Sequence, residues 1–270
     1  LEIPSRTQLF AVRQSTFAGC YGGPIADGAI DESIVRNLCH LAISRRTKQL
    51  KLLSNPFAPM SDFRGELVCE GHDSTECLSL EQGYEAVAAQ FSSSHRRNIR
   101  KGQRMGAEVR EAKALDEYQI YYRVYQDSLR RWGDTTSSSY PWRLFENGWQ
   151  LAQRYPDCLK LWIAEVDERI VAGAWVFYWN RHAVYWHGAA LEEFFSHKPA
   201  NVLHDAIIKD ACDRSFCIYD FNPSGGHEGV AQFKRKHGTE QRTVTLWEYR
   251  SSLFSFGQSL KSLFRSNARK

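Results

Sequence analysis

The sequence predicts an α+β fold, a mixed and mainly antiparallel sheet flanked by helices, and three observations carry this. Residues 159–166, 170–178 and 183–190 are apolar and aromatic. The tight turns Asp167-Glu168-Arg169 and Asn180-Arg181-His182 lie between them, which reads as an antiparallel meander. Stretches at 115–131, 142–154 and 201–214 show the three-to-four-residue apolar spacing of helices packed on a sheet. Helix-like and strand-like patterns also alternate before residue 112, so a segment of similar grammar precedes the meander.

In the first segment, residues 1–112, positions 8–14 read as a strand. Phe17-Ala-Gly-Cys-Tyr-Gly-Gly-Pro24 is a glycine-rich turn. A helix over 31–46 is capped by Asp31, with Ile34, Leu38, Leu41 and Ala42 as its core stripe. Strands are expected at 48–54, 77–80 and 107–110, and a short helix at 84–91. Ser92 to His95 cap a helix over 96–105 that Gly106 ends. In the second segment, residues 113–250, the helix at 115–131 carries Tyr118, Tyr121, Tyr122 and Tyr125, and Pro141 starts the next one. After the meander come a helix with Val202, Ala206, Ile207 and Ala211 in its core, a strand at 217–221, a short helix at 228–237 and a strand at 243–249. Residues 251–270 read as a basic amphipathic helix. It either packs on the second domain or touches anionic lipid.

Composition bounds the function classes. The chain has 270 residues, and at roughly 150 residues per domain it has room for two. Apolar residues make up 43% and charged residues 24%, which excludes disorder as the main state. Aromatic residues reach 13%, so large flat side chains are expected to build the core. The longest apolar run, 170–179, is far shorter than the ~20 residues that span a bilayer. Residues 1–10 hold charges and no apolar block, so no leader is expected there. The 7 cysteines show no Cys-x-x-Cys spacing. Neither a disulfide framework nor a metal site is expected, and a cytoplasmic setting fits. A net charge of +4 is weak by itself as a sign of acidic partners.

Four groups of residues stand out chemically. Asn222-Pro-Ser-Gly-Gly-His-Glu-Gly229 leads from a strand into a helix, where Ser224, Gly225, Gly226 and His227 could hold an anion or a developing oxyanion. It is equally an ordinary turn. Phe233-Lys-Arg-Lys-His237 follows. Lys234 is the candidate for polarising a carbonyl, with Phe233 fixing the backbone, against the bland reading of a solvated basic face. Arg97, Arg100, Lys101 and Arg104 share one helix face and invite an anionic partner, or are simply solvated. His187, beside Gly188 in mid-strand, marks a site for a bulge or is a packed core histidine. Asp220, at a strand end, is a candidate acid/base or a structural hydrogen-bonding group.

Two helices, a three-strand meander, then helix, strand, helix and strand is the order of a GNAT-type acyltransferase domain. GNAT domains that use acetyl-CoA usually carry a glycine-rich Arg/Gln-x-x-Gly-x-Gly/Ala turn after the meander, whose amides hold the pyrophosphate. Here that stretch, residues 192–201, has no glycine, two carboxylates and Pro199, which lacks an N–H, so conventional CoA binding is disfavoured.

Arg96-Arg-Asn-Ile-Arg-Lys-Gly-Gln-Arg-Met-Gly106, Tyr219-Asp-Phe-Asn-Pro-Ser-Gly-Gly226 and Phe233-Lys-Arg-Lys-His-Gly238 resemble the FemABX-like branch of the GNAT superfamily, as does the turn ending Tyr21-Gly-Gly-Pro24. The resemblance implies tandem GNAT-like domains, here 1–112 with its front truncated, 113–250, and the helix 251–270. It implies transfer of an amino acid from aminoacyl-tRNA, with no other cofactor, to an amine of a peptidoglycan or polysaccharide precursor. The family's Phe-Lys pair falls on Phe233 and Lys234, and Tyr21 joins the expected substrate-binding residues. The expected location is cytoplasmic, or peripheral at the inner membrane face. A CoA-dependent N-acyltransferase and a non-catalytic tandem-GNAT protein that binds glycan or nucleic acid stay as alternatives.

Overall fold

The computed structural model describes residues 2–4, 11–16, 20–23, 31–57, 67–133, 139–225 and 227–251. The chain starts with strands β1 (Glu2–Pro4) and β2 (Ala11–Gln14), helix α1 (Glu32–Ala42), and strands β3 (Thr47–Leu53) and β4 (Val68–Ser79). Helices α2 (Tyr84–Gln90) and α3 (Ser93–Arg104), strand β5 (Glu108–Glu111), and helices α4 (Leu115–Trp132) and α5 (Trp142–Arg154) follow. Then come the meander β6 (Leu159–Val166), β7 (Arg169–Trp179) and β8 (His182–Ala190), and a 3₁₀ turn (Glu192–His197). Helix α6 (Pro199–Asp213), strand β9 (Ile218–Pro223), helix α7 (Glu228–Arg235) and strand β10 (Glu240–Arg250) complete the order.

The chain divides into two compact units, residues 1–74 with 242–270, and residues 75–241. The second holds the meander. Its sheet runs β4-β9-β8-β7-β6-β5, antiparallel throughout except for the parallel pair β8–β9. The hairpins close through Asp167 (φ 50) with Glu168 (φ 62), and Asn180 (φ 47) with Arg181 (φ 60), as two-residue turns require. Strand alternation sorts the side chains to two faces. Leu161, Ile163 and Trp175 join Tyr118, Tyr121 and Tyr125 of α4 and Phe145 of α5. Trp162, Ala164, Ala174, Val176 and Tyr178 join Val87 of α2, Ile99 of α3 and Leu203, Ile207 and Ala211 of α6 on the other. Close approach sets two glycines. A Cβ on Gly148 of α5 would lie 1.7 Å from the Trp175 ring, and one on Gly173 of β7 would lie 2.6 Å from the Tyr121 ring.

In the first unit β1 and β2 pair antiparallel, β2 and β3 parallel, and β3 and β10 antiparallel. Val35, Leu50, Leu52 and Leu67 form its core, with Trp247 and Tyr249 packed on them. Asp31 caps α1 through the Ile34 N–H at 2.9 Å. The core face of α1 differs from the expected stripe. Ile34, Leu38 and Leu41 are exposed, Leu41 by 79%, whereas Val35 is buried with Cys39, Ala42 and Ile43 against it. The helix is apolar around nearly half its girth, so spacing alone did not choose its face. The units also part from the expected division at 112/113: residues 75–112 belong to the second unit, and β10 pairs with β3 of the first. Residues 252–270 of the expected C-terminal helix, residues 17–19 and 24 of the Phe17–Pro24 turn, and Gly226 lie outside the described residues. Among the described residues no helix is long and apolar enough to cross a membrane.

Buried histidines are a second feature of the larger unit. His95 of α3, His204 of α6 and His237 just past α7 meet in one cluster, with ring centroids 3.9 Å apart for His95 and His237 and 5.7 Å apart for His204 and His237. Asn201 Nδ2 donates to His95 Nδ1 at 2.8 Å, and the Tyr219 hydroxyl lies 2.9 Å from His204 Nδ1. His237 Nδ1 donates to the carbonyls of Phe233 and Lys234. Burial pushes His95 down to about 4 and His204 to about 3, and holds His237 well below its usual value. His187 on β8, also by burial, falls to about 3.

Stability should therefore decline in mild acid. Above pH ~6.5 these imidazoles are neutral both folded and unfolded. As pH falls below that, the unfolded chain takes up protons that the folded chain refuses, at about 1.4 kcal/mol per pH unit for each proton. Urea midpoints at pH 7.5, 6 and 5 should drop in that order, and equal midpoints at 7.5 and 5 would refute it. At pH 7.5, Gly148→Ala should cost about 1–3 kcal/mol by overpacking against Trp175. A wild-type urea midpoint would show that the ring yields without cost.

Candidate active site

The site begins as a failure of strand pairing. Strands β8 and β9 run parallel and pair only at His182–Ile218, Ala183–Tyr219 and Val184–Asp220. Beyond that β8 stays with β7, and a bulge shifts their register so that Trp175 pairs with His187 and Val176 with Tyr185, leaving Trp186 as the extra residue. β9 continues to Pro223 alongside β4, where Pro223 pairs with Thr75. One side chain bridges the opening: Asn222 Nδ2 donates to the Tyr185 carbonyl at 3.0 Å.

This splay opens a cavity of about 580 Å³. Aromatic walls come from Trp132, Tyr185, Trp186 and Phe221, and the polar rim from Asn222, Ser224, His227, Glu228 and Lys234. Burial raises the Tyr185 hydroxyl to about 12, so it is a neutral donor at physiological pH. Lys234 is only 2% exposed, and its Nζ donates to the carbonyls of Asn222 at 2.7 Å and Pro223 at 3.3 Å. Asn222 sits at φ 57, a left-handed conformation that asparagine tolerates better than most residues. Asp220 holds it there: one carboxylate oxygen accepts the Asn222 N–H at 2.8 Å and the Thr75 hydroxyl at 2.6 Å.

Of the residues expected from sequence, Lys234, Ser224, His227 and His187 line this cavity. Gly225, at φ 57, stands in the same turn, and Gly226 is outside the described residues. Asp220 does not line it. The carboxylate is fully buried behind the turn, with His182 Nε2 3.5 Å from its second oxygen, and its observed work is to shape the end of β9. Phe233 faces away, packing on the rings of His237, His204 and His95. His187 reaches the cavity at the bulge, but its imidazole lies among Tyr121, Tyr125, Tyr140 and Phe145, with Nδ1 2.8 Å from the Tyr121 hydroxyl. With a pKa near 3 it is neutral and a poor proton acceptor. Arg97, Arg100 and Lys101 lie on the outward side of α3, away from the cavity wall, and Tyr21 belongs to the first unit. Sequence reading missed Asn222, Tyr185, Trp132 and Trp186. Only the asparagine preceding Pro223 offered a signal, as a residue suited to a left-handed turn.

The start of α6 decides how a donor could be held. In this fold, acyl-CoA would lay its pyrophosphate on that helix end. Pro199 there has no N–H, and the N–H groups of Asn201 and Val202 both go to the Lys198 carbonyl. The Asn201 side chain is committed to His95. Helix α3 covers the site: a Cβ on Gly102 would be 2.5 Å from Val202 Cγ2 and 2.8 Å from the His197 carbonyl oxygen. Glu192 and Glu193 stand in the preceding turn, where carboxylates oppose a phosphate. These residues do not fit the pyrophosphate of CoA.

Comparison with known proteins places the fold. Residues 89–235 match the family model for the acetyltransferase (GNAT) domain. No curated protein matches the sequence. Among solved structures, FemX superposes with a TM-score of 0.66 at 12% identity, over 97% of this chain and 85% of that one. A C-terminal domain from Agrobacterium fabrum, described as that of a lysylphosphatidylglycerol synthetase, gives 0.65 at 10% identity over 96% and 86%. L-PGS from Bacillus licheniformis gives 0.55 at 11% identity over 88% and 79%. At such identities the likeness is one of fold. With the family model spanning more than half of its length, the chain belongs to the GNAT acetyltransferase family.

Proposed function

We propose that this acyltransferase moves an aminoacyl group from aminoacyl-tRNA to an amine of a cell-envelope precursor, of the peptidoglycan or polysaccharide class. One observation carries the reading: the splay cavity of β8 and β9 is open and lined by Lys234, while the helix end that would hold CoA is closed. The name of the Agrobacterium neighbour, that of an enzyme making an aminoacylated lipid, supports an aminoacyl donor. Such an acceptor fits a cytoplasmic protein working near the inner membrane face.

The chemistry asks little beyond placement, because an aminoacyl ester is already activated. The acceptor nitrogen attacks the ester carbonyl carbon, the C–N bond forms, and negative charge gathers on the carbonyl oxygen. The C–O bond to the ribose then breaks, and the proton lost by the amine ends on the ribose hydroxyl. Lys234 supplies the positive group for the oxyanion, and its two carbonyl partners hold it in place so that no reorganisation is needed at the moment of attack. Trp132, Trp186 and Tyr185 give the acyl side chain an apolar wall.

A second reading, acyl transfer from CoA, is favoured by the acetyltransferase description of the matched family. One experiment separates the two. The protein is mixed with charged bulk tRNA or with acyl-CoAs and a pool of envelope precursors, and mass shifts are read. A gain of one amino-acid residue that requires tRNA is expected. An acetyl or longer acyl gain that requires CoA would overturn the proposal, as would saturable acetyl-CoA binding by calorimetry. With the productive donor, Lys234→Ala should lower kcat about 10²-fold or more with a small change in KM, provided its urea midpoint shows a folded protein. Turnover within a fewfold of wild type would remove Lys234 from the mechanism.

A further inference from the structure

We infer that the outward face of α3 is a docking surface for the phosphodiester backbone of a nucleic acid, built from Arg97, Arg100, Lys101 and Arg104. At about 100° per residue these four fall within one arc of the helix, and His95, Ile99 and Gly102 fall opposite and are buried. The fifth cation, Arg96, is otherwise engaged: its guanidinium donates to the carbonyls of Ala89 at 3.0 Å and Phe91. None of the four has an ion pair to a described carboxylate, and Arg97, Arg100 and Arg104 are exposed. They stand at i,i+3 and i,i+4 spacing, so each neighbouring pair is repulsive, and the helix carries no acidic residue to offset it. Such a row is disfavoured in the free protein and relieved by a polyanion.

The face also states which polyanion. A membrane-surface helix sets large apolar side chains beside its cations to enter the acyl boundary. Here the arc of the four cations holds no large apolar side chain: Ile99 points inward, and Met105, 36% exposed, lies just past the helix end. A row that can only bridge to phosphates suits a nucleic-acid backbone. The position gives it a use. Gly102 packs α3 across the closed start of α6, so the phosphate-binding part of this fold passes from a helix end to side chains on the covering helix. This inference deepens the proposed use of aminoacyl-tRNA and rests on it for the identity of the carrier.

The test is binding of fluorescein-labelled, deacylated bulk tRNA, followed by anisotropy between 50 and 300 mM KCl. Wild type should bind with a steep salt dependence. The triple variant R97Q/R100Q/R104Q should weaken binding at least tenfold at 100 mM KCl and reduce the slope of log K against log salt by about 2. Glutamine keeps helix propensity, and circular dichroism checks the fold. A control of equal charge change, R130Q/R143Q/K209Q, should leave the slope near wild type. Equal loss in both triples would overturn the surface. So would binding to vesicles of phosphatidylcholine and phosphatidylglycerol (3:1) with none to tRNA. Aminoacyl transfer indifferent to the α3 triple would sink this inference and spare the proposed function. Binding of tRNA through α3 without transfer from any donor would do the reverse.

Discussion

The bonds that Asp220 makes behind the end of β9 hold the rest of the site in place. Its carboxylate, wholly out of water, accepts from the Asn222 N–H and the Thr75 hydroxyl. That fixes Asn222 at φ 57, turns the strand away from β8, and aims the carbonyls of Asn222 and Pro223 at Lys234. A buried carboxylate is costly unless its lone pairs are used, so the arrangement tolerates little change. The parallel pair opens because β9 is bent here and because Trp186 bulges on the facing strand.

The larger unit shows the same economy on its helical side. An acyl-CoA site would need free N–H groups at the start of α6 and open space before them. Pro199 has no N–H, those of Asn201 and Val202 go to the Lys198 carbonyl, and α3 packs into the space before them. Gly102 lets α3 approach until only hydrogen fits between it and Val202, and Asn201 is drawn to His95. The helix that packs on the start of α6 also carries the cationic row Arg97, Arg100, Lys101 and Arg104.

Much of this was legible in the residues, and the limits have physical reasons. The meander could be read because only short polar turns, 167–169 and 180–182, interrupt its apolar and aromatic runs. The Ser92 cap, the stop at Gly106 and the Pro141 start are local signals, and the structure has all three. The face of α1 was misjudged because Ile34 and Val35 are adjacent and equally apolar, and only the neighbours Leu50 and Leu52 choose between them. The assignment of residues 75–112 and β10 failed for a related reason, since sheet neighbours far apart in sequence leave no periodic trace. In the site, Lys234 and Asp220 were both singled out; Asp220 was read as an acid/base or a structural hydrogen-bonding group, and its enclosure favours the second. Its partner Thr75 lies 145 residues away, so nothing local could name the bond that decides between the two readings.

Lys234 joins the two halves of the argument. Its ammonium serves the loop through the carbonyls of Asn222 and Pro223, and the cavity through its position on the wall. These roles reinforce each other. A lysine free to rotate would lose side-chain entropy on meeting an oxyanion, whereas one already tied to two carbonyls has lost it on folding. The group proposed to stabilise a developing negative charge is thus held by two neutral acceptors, the carbonyls of Asn222 and Pro223. His237 extends the scheme, since its Nδ1–H holds the carbonyls of Phe233 and Lys234 from behind and fixes the backbone from which the side chain springs. An imidazole kept neutral by burial can do this without placing a second positive charge next to the first, which gives the neighbouring histidine cluster a purpose in the site as well as in the core.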